Sequence, residues 1–247
     1  MDKKGFFFVS DVHLGLDLKD ASAREARFVS FLRSDSVRNA KAVYLLGDIW
    51  DFWYEYKYVV PKEGVRVVAA LIDLMDGGTE VFFMPGNHDI WCYHFFEELG
   101  IHKIEQPYFT EIDGKSFCLG HGDGLGGSSF GLTVMRAIFH NKFLQALFST
   151  LHPRLAFTFG NRWSHSNRRS HKPYEFKGKD ERIYKYATSV AASRHVDYFV
   201  FGHLHTAQRM EIPGGGEMFL LGDWMEKNSY LYFSGIGVDG GSSMKME

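Results

Sequence analysis

We predict an α/β fold, built as a single domain over residues 1–247 with one inserted segment. Short runs of apolar, β-branched or aromatic residues recur along the chain, each ending in Gly, Asp, Asn or His. Longer amphipathic stretches separate several of these runs. This alternation is typical of strands joined by crossover helices. With 45% hydrophobic and 23% charged residues, the composition is that of a globular protein and excludes a disordered or fibrous chain.

The local patterns place the individual elements. Five short apolar runs predict strands, at residues 6–9, 42–46, 81–84, 117–119 and 198–201. Two amphipathic stretches predict crossover helices, at residues 21–32 and 65–75. In the first helix Ala26, Val29 and Leu32 fall at helical spacing, and we expect them to face the core. After residue 201, short runs alternate with Gly-rich turns, which predicts a largely antiparallel end to the fold.

The segment 124–174 differs from the rest of the chain in charge and in pattern. It holds seven Lys or Arg residues and no Asp or Glu, so it carries +7 and the other residues must carry −9 to give the net charge of −2. Its apolar residues fall on helical spacing at Met135, Ile138, Phe139, Phe143, Leu147, Phe148 and Leu151. We predict a helical cap insertion, for which the ordinary alternatives are core packing of the apolar stripe and a solvated basic face.

The net charge and the cysteine content limit which partners and which cellular compartment we expect for the protein. Because the net charge is only −2, it gives no support for nucleic acid as a partner. The two cysteines form no short motif, which favours a reducing compartment, and we expect a cytoplasmic protein. The apolar run near the N-terminus has four residues, too few for a signal peptide. No stretch approaches the roughly 20 apolar residues of a membrane span.

Candidate metal ligands follow all five predicted strands. The segments are Asp11-Val12-His13, Gly47-Asp48-Ile49-Trp50-Asp51, Gly86-Asn87-His88-Asp89, Gly120-His121-Gly122-Asp123 and Gly202-His203-Leu204-His205. The carboxyl ends of strands in an α/β sheet lie along one crevice, so we expect these side chains to converge. A two-residue spacing places both members of Asp11/His13 and of His203/His205 on one side of an extended segment. Glycine before a ligand allows close approach of the backbone.

The ligand types predict a centre of two divalent ions. Seven candidates combine carboxylate, amide and imidazole donors: Asp11, His13, Asp48, Asn87, His121, His203 and His205. Such a mixture suits Mn²⁺, Fe or Zn²⁺ better than an all-oxygen Ca²⁺ or Mg²⁺ site. A bridging carboxylate serves two ions about 3.5–4 Å apart. Each motif alone has an ordinary reading as a turn, a helix cap or a structural histidine, whereas one coordination site explains all five together.

The five motifs in this order resemble the calcineurin-like metallophosphoesterase superfamily. The resemblance implies two stacked mixed β-sheets flanked by helices, a four-layer sandwich. It also implies that one ion takes Asp11, His13, Asp48 and His205 and the other takes Asp48, Asn87, His121 and His203, with Asp48 as the catalytic bridge. His88 would be the second catalytic residue, which stabilises the transition state or protonates the leaving group. We expect Asp89 to orient the His88 ring, and supporting roles for Asp51 and Asp123.

The insertion resembles the helical cap of UDP-2,3-diacylglucosamine pyrophosphatases, and so does the segment Leu221-Gly222-Asp223-Trp224. That resemblance implies an enzyme of lipid A biosynthesis that cleaves UDP-2,3-diacylglucosamine to UMP and 2,3-diacylglucosamine 1-phosphate, with Mn²⁺ as the usual metal. It implies a peripheral position on the cytoplasmic face of the inner membrane, contacted through the cap. The substrate contacts it implies are Asn87, His88, Arg162, Ser164, Asn167, Arg168, Lys172 and His203.

Two alternatives to this substrate stay open from the sequence. The family pattern has Arg at the position of His88, so an enzyme for another phosphodiester or nucleotide pyrophosphate fits the same metal motifs. The second is a non-catalytic interaction module on the same fold, in which the metal ligands would have decayed. Because all seven ligands are present, the sequence favours an enzyme. The oligomeric state is left open.

Overall fold

The computed structural model describes residues 3–16, 20–127, 130–170, 174–236 and 242–247. The strands in these ranges are β1 Phe6–Val9, β2 Ala42–Leu46, β3 Glu80–Met84, β4 His102–Lys103, β5 Tyr108–Ile112, β6 Lys115–Gly120, β7 Tyr198–Phe201, β8 Gln208–Glu211, β9 Glu217–Leu220, β10 Leu231–Ile236 and β11 Ser242–Met246. The α-helices are α1 Ala21–Leu32, α2 Asp35–Arg38, α3 Val65–Asp76, α4 Phe95–Glu98, α5 Phe130–His140, α6 Lys142–Ser149, α7 Pro153–Ser170 and α8 Arg182–Ala191. All five predicted strands and both predicted crossover helices are present.

The strands form two mixed sheets. The first has the order β11-β10-β1-β2-β3-β4, in which β1 to β4 are parallel and β10 and β11 are antiparallel. The second has the order β5-β6-β7-β9-β8, with β6, β7 and β9 parallel. The expectation of a largely antiparallel end is confirmed, because β8 pairs with β9, β10 with β11 and β10 with β1 in antiparallel orientation. The exception is the pairing of β9 with β7, which is parallel.

Alternate side chains of each inner strand serve different layers, which explains why β1 and β2 are buried throughout. Phe8 stacks on Tyr44 and, across the space between the sheets, on Phe117, with ring centroids 5.0 and 5.7 Å apart. Phe7 points the other way, into the layer of α1 and α3. Helix α8 covers the outer face of the second sheet. The arrangement is the predicted sandwich of two stacked sheets flanked by helices.

The buried face of α1 differs in part from the predicted one. Leu32 is buried and Val29 packs against the core, as expected, but Ala26 is exposed. Arg24 and Phe28 complete the buried face, at a four-residue spacing with Leu32. The pattern missed it because a buried arginine breaks the apolar stripe.

Helices α5, α6 and α7 fill most of the segment predicted as a cap, and they combine packed and exposed apolar residues. Phe139 and Phe148 pack on Trp91, with ring centroids 5.0 and 5.6 Å apart. Phe143 and Leu147 are 76% and 57% exposed. One side of the apolar stripe is therefore packed and the other faces solvent. None of the described helices is long and apolar enough to cross a bilayer.

Candidate metal centre

The side chains of the five motifs meet at one end of the sandwich. They follow the carboxyl ends of parallel strands from both sheets: Asp11 and His13 after β1, Asp48 after β2, Asn87 and His88 after β3, His121 after β6, and His203 and His205 after β7. Because both sheets end here, the ligand loops of one sheet face those of the other. The structure thus brings together all seven residues that the sequence singles out as metal ligands.

Two groups of potential ligand atoms lie side by side. In the first, the Asp11 Oδ1 atom is 3.8 Å from His13 Nε2 and 3.6 Å from His205 Nε2. In the second, Asp48 Oδ2 is 3.3 Å from His121 Nε2, and His203 completes the group.

Asp48 belongs to the second group and also approaches the first. Its Oδ2 atom is also 3.9 Å from His13 Nε2, so this oxygen lies between the groups. Asn87 Oδ1 is 3.3 Å from His121 Nε2, on the side of the second group. From this position one carboxylate would be able to reach both ions of a bound pair.

The ligand loops adopt a backbone conformation that few non-glycine residues accept. Asp11, His13, Asp48, His203 and His205 have φ values of 54°, 51°, 54°, 71° and 51°. Left-handed backbone costs a non-glycine residue of the order of 1 kcal/mol or more, and it persists where the surroundings dictate it. The conformation that orients these five side chains therefore lowers the free energy of unfolding of the protein.

Glycines next to the ligands permit close approach, as predicted. A Cβ atom on Gly202 would lie 2.5 Å from Ser10 Oγ and 2.8 Å from Asp11 Oδ2. The Gly202 position thus admits no other residue without moving the loop that carries Asp11. At Gly86 a Cβ would meet the Asp48 carboxylate. Both glycines are fixed by crowding against a ligand.

Hydrogen bonds select one ring nitrogen of three histidines. The Nδ1 atom of His121 lies 3.0 Å from the Leu46 carbonyl oxygen, and that of His88 lies 2.8 Å from the Asp51 carbonyl oxygen. The Nδ1 atom of His13 lies 3.2 Å from Asp51 Oδ1. Carbonyl and carboxylate oxygens only accept, so each Nδ1 carries a proton. In His13 and His121 this leaves Nε2 as the nitrogen that offers a lone pair to a metal ion when the ring is neutral.

Asp51, Asp89 and Asp123 all have supporting positions, but one predicted role is wrong. Asp89 does not orient His88; its buried carboxylate accepts the backbone N–H groups of residues 48, 49, 50 and 86 at 2.7–3.2 Å and so holds two ligand loops together. The residue beside the His88 ring is Asp51, which is part of the preceding loop. Asp123 pairs with Arg136 at 2.7 Å and ties α5 to the loop that carries His121.

Charges in the centre perturb the ligands strongly. Burial raises the pKa of Asp48, but the surrounding imidazoles, His121 above all, outweigh burial and hold the pKa well below 3.8. In the same way burial lowers the pKa of His121, and the Asp48 carboxylate reverses this and raises it well above 6.5. Burial also raises the pKa of Asp11, yet His205 and its neighbours bring it to about 2. The protein on its own thus favours carboxylates beside cationic groups.

The donor set fits divalent metal ions. Asp11 Oδ1 is buried and has no hydrogen-bond partner among the described residues, an arrangement that costs free energy unless a cation satisfies the oxygen. Carboxylate, amide and imidazole donors in two adjoining groups match the preferences of Mn²⁺, Fe or Zn²⁺. A third group, His13, Asp51 and His88, uses the Nδ1 side of His13 and so belongs to the outer surroundings of the centre.

The expected substrate contacts are distributed unevenly. Asn87, His88 and His203 are in the centre and partly exposed. On α7, Arg162 is exposed, and Ser164 is 2% exposed with a hydroxyl that has no hydrogen-bond partner among the described residues. Lys172 and the side chains of Asn167 and Arg168 lie outside the described residues.

Two features of the site were missed from the sequence. Buried Arg24 donates hydrogen bonds to the carbonyl oxygens of His13 and Leu16, at 2.9 and 2.8 Å, and so braces the first ligand loop. The aromatic run after Asp48 anchors the cap: Tyr54 and Tyr56 donate hydroxyl hydrogen bonds to the carbonyl oxygens of Gln145 and Leu151. The density of aromatic residues at 50–58 was the available signal for that anchor.

Comparison with known proteins finds a matching family and similar relatives. The model of the calcineurin-like phosphoesterase family matches residues 5–207. A protein of Porphyromonas gingivalis named UDP-2,3-diacylglucosamine hydrolase is 33% identical, with 93% of this chain and 94% of the relative covered. A protein of the same name from Stenotrophomonas maltophilia is 31% identical, with coverages of 91% and 92%. Similar solved structures include a dimetal phosphatase from Danio rerio, at 13% identity, coverages of 100% and 96% and a TM-score of 0.43.

Proposed function

Because the chain belongs to the calcineurin-like phosphoesterase family, we propose that it hydrolyses the pyrophosphate bond of UDP-2,3-diacylglucosamine to UMP and 2,3-diacylglucosamine 1-phosphate, a step of lipid A biosynthesis. The chain is a metal-dependent hydrolase. The observation that supports the substrate assignment is the extent of the similarity to relatives named for this hydrolysis. It covers more than nine-tenths of both chains and so includes the cap helices together with the ligand loops.

We assign the ligands of two divalent ions, with Mn²⁺ as the proposed metal. One ion takes Asp11, His13, Asp48 and His205, and the other takes Asp48, Asn87, His121 and His203. The two adjoining ligand groups support this division, and so does the place of Asp48 between them. When bound, the ions would neutralise phosphoryl charge and supply a hydroxide nucleophile for in-line attack.

The protein's own groups carry the remaining tasks of the reaction. The His88 side chain is 23% exposed, with Nδ1 held by the Asp51 carbonyl oxygen, so Nε2 is directed away from that bond and is accessible to substrate. In the proposed reaction His88 acts as an imidazolium, protonated on both ring nitrogens; it stabilises charge on the phosphoryl group or gives its Nε2 proton to the leaving phosphate oxygen and is left neutral. Asp51 fixes the orientation of His88 and of His13, so the proposed acid, His88, and the proposed ligand, His13, are held by the same residue.

The cap supplies recognition of the lipid part. Its exposed apolar side chains would contact the acyl chains and the surface of the inner membrane on its cytoplasmic face. Its seven Lys and Arg residues, with no acidic residue in 124–174, would attract the pyrophosphate and anionic headgroups. Within this proposal Arg162, Ser164, Asn167, Arg168 and Lys172 contact the substrate from the cap, and Asn87, His88 and His203 contact it from the centre.

The test is hydrolysis of UDP-2,3-diacylglucosamine with and without Mn²⁺, measured as released UMP. UDP-N-acetylglucosamine and an aryl phosphodiester serve as comparison substrates. Selective, Mn²⁺-dependent release of UMP from the acylated substrate would support both the lipid-binding role of the cap and the catalytic role of the metal centre. Activity on the aryl ester alone would keep the metal site and remove the lipid assignment. In Asp48→Ala, loss of the bridge should abolish turnover of every substrate, and full activity of that variant would refute the bridging role.

A further inference from the structure

An exposed apolar loop lies beside the cap, outside the insertion itself. Residues 57–60 lead from the aromatic run to α3, and the side chains of Tyr58, Val59 and Val60 are 85%, 46% and 36% exposed. An adjacent apolar triplet with this exposure is unfavourable in water unless it has a partner surface. The lysines that flank it, Lys57 and Lys62, are also exposed. The loop thus presents an apolar tip between two positive charges.

The loop is held firmly at both of its bases. On one side the Glu55 carboxylate accepts the backbone N–H groups of residues 93–95, and the Tyr56 hydroxyl donates to the Leu151 carbonyl oxygen at 3.1 Å. On the other side Pro61 is buried, and Trp50 Nε1 donates to the Glu63 carbonyl oxygen at 3.0 Å. Between these bases Tyr56 N donates to the Val59 carbonyl oxygen at 3.1 Å, which closes a tight turn. The tip is therefore presented in a fixed position.

The tip continues an apolar stripe of the cap. Phe143, Leu147 and Leu151 recur every four residues along α6 and just beyond it, and all three are exposed. Leu151 is the residue that Tyr56 bonds, so the stripe ends where the loop begins. The loop residues 56–62 and the insertion contain no acidic residue. Glu55 and Glu63 border the loop, but the Glu55 carboxylate is occupied by the backbone N–H groups of residues 93–95, and Glu63 is partly buried. An exposed apolar tip and stripe among mostly positive side chains are complementary to an anionic lipid bilayer.

We propose that Tyr58, Val59 and Val60 are a bilayer-inserting tip and that Lys57 and Lys62 bind anionic phospholipid headgroups beside it. This inference extends the proposed membrane contact of the cap to a second element. The tip also sets the side on which the enzyme rests. The aromatic run that carries it starts at the loop of Asp48, so the metal centre is joined to the membrane-facing rim through about ten residues of chain.

The experiment is sedimentation of the full-length, Mn²⁺-loaded protein with vesicles of phosphatidylethanolamine and phosphatidylglycerol that contain no substrate. The triple variant Tyr58→Ser, Val59→Ser, Val60→Ser should lower the partition coefficient about tenfold or more. Lys57→Gln with Lys62→Gln should lower it about fivefold per lysine at low salt.

The matched control removes the same charge elsewhere. Lys4→Gln with Lys245→Gln acts on exposed lysines outside the rim, and its partition coefficient should equal that of the wild type. Unchanged circular dichroism and Tm establish that the triple variant is folded. Its hydrolysis of a dissolved aryl phosphodiester should also be unchanged, because the tip residues are not part of the metal centre.

Three results would refute the proposal that residues 58–60 insert into the bilayer. The first is that the triple variant sediments with vesicles as the wild type does, and the second is that the wild type binds phosphatidylcholine vesicles equally well. The third is that the wild type is a dimer, and that the triple substitution makes it monomeric without changing vesicle binding. Since the vesicles carry no substrate, these outcomes are independent of whether UDP-2,3-diacylglucosamine is hydrolysed. Failure of the proposed function and failure of the tip are therefore seen in different assays.

Discussion

Asp51→Asn is the substitution that most directly tests how the centre is supported. The Asp51 carboxylate is 2% exposed and lies 3.2 Å from Nδ1 of His13 and 3.6 Å from Nδ1 of His88. Asparagine keeps the volume and one acceptor oxygen but removes the charge, which roughly halves the strength of such a hydrogen bond. Loss of an outer partner of a metal-bound histidine costs about 10–100-fold, or about 1.4–2.7 kcal/mol. We expect Mn²⁺ affinity to fall about tenfold and kcat to fall by 10–100-fold.

Two measurements are made. The Mn²⁺ affinity comes from calorimetric titration of the metal-free protein with Mn²⁺, and kcat is measured on an aryl phosphodiester at saturating Mn²⁺. Asp73→Asn is the matched control, because Asp73 forms a surface ion pair with Arg33 in which both side chains are 48% exposed. Surface pairs contribute about 0–1 kcal/mol, so this variant should keep both the affinity and kcat. Wild-type Mn²⁺ affinity together with wild-type kcat in Asp51→Asn would refute the supporting role.

Three further predictions concern separate parts of the structure. His88→Ala should keep the full metal content and lower kcat by about 10²–10⁴-fold; loss of metal in this variant would instead make His88 a ligand. Arg24→Met removes two buried hydrogen bonds to the loop of His13 and should cost about 3 kcal/mol, which lowers Tm by roughly 6–12 °C in a calorimetric scan. Burial raises the pKa of the Cys118 thiol to about 12 from 9.0, so the unfolded chain loses this proton first as pH rises. Wild-type stability should therefore fall between pH 8 and 10 by about 1 kcal/mol more than that of Cys118→Ala in urea titrations, and parallel curves would contradict the shift.

The strands and the convergence of the candidate ligands could be predicted from the sequence for the same physical reason. Parallel strands buried on both faces are short apolar runs, and the polar residue that ends each run lies where the sheet opens to solvent. Asp11, Asp48 and His121 therefore signal both a strand end and a candidate ligand. The backbone conformation of the ligand loops carries only a weak signal: Asp and His accept positive φ more often than most non-glycine residues, but most Asp and His residues do not adopt it.

Supporting residues were harder to predict because their partners are distant in sequence or are backbone groups. Asp89 lies next to His88 in the chain, which suggested a side-chain pair, but its carboxylate accepts amides of residues 48–50 from another loop. Arg24 interrupts an apolar helix face and gives no periodic signal, although its two acceptors are only 11 and 8 residues away. Contacts of this kind depend on the packing of the whole domain.

The cap helices are bonded directly to segments that carry residues of the candidate centre. The segment 48–56 begins at the proposed bridging carboxylate, passes through Asp51 beside His88, and ends at Tyr54 and Tyr56, whose hydroxyls donate to α6 and to Leu151 just beyond it. Trp91, which follows the loop of His88, donates from Nε1 to the Phe139 carbonyl oxygen of α5 at 2.9 Å. The loops that follow β2 and β3 therefore both carry anchors of the cap. A displacement of α5 and α6 would pull on the residues next to His88, so the position of the cap and the orientation of the proposed acid are set by the same contacts.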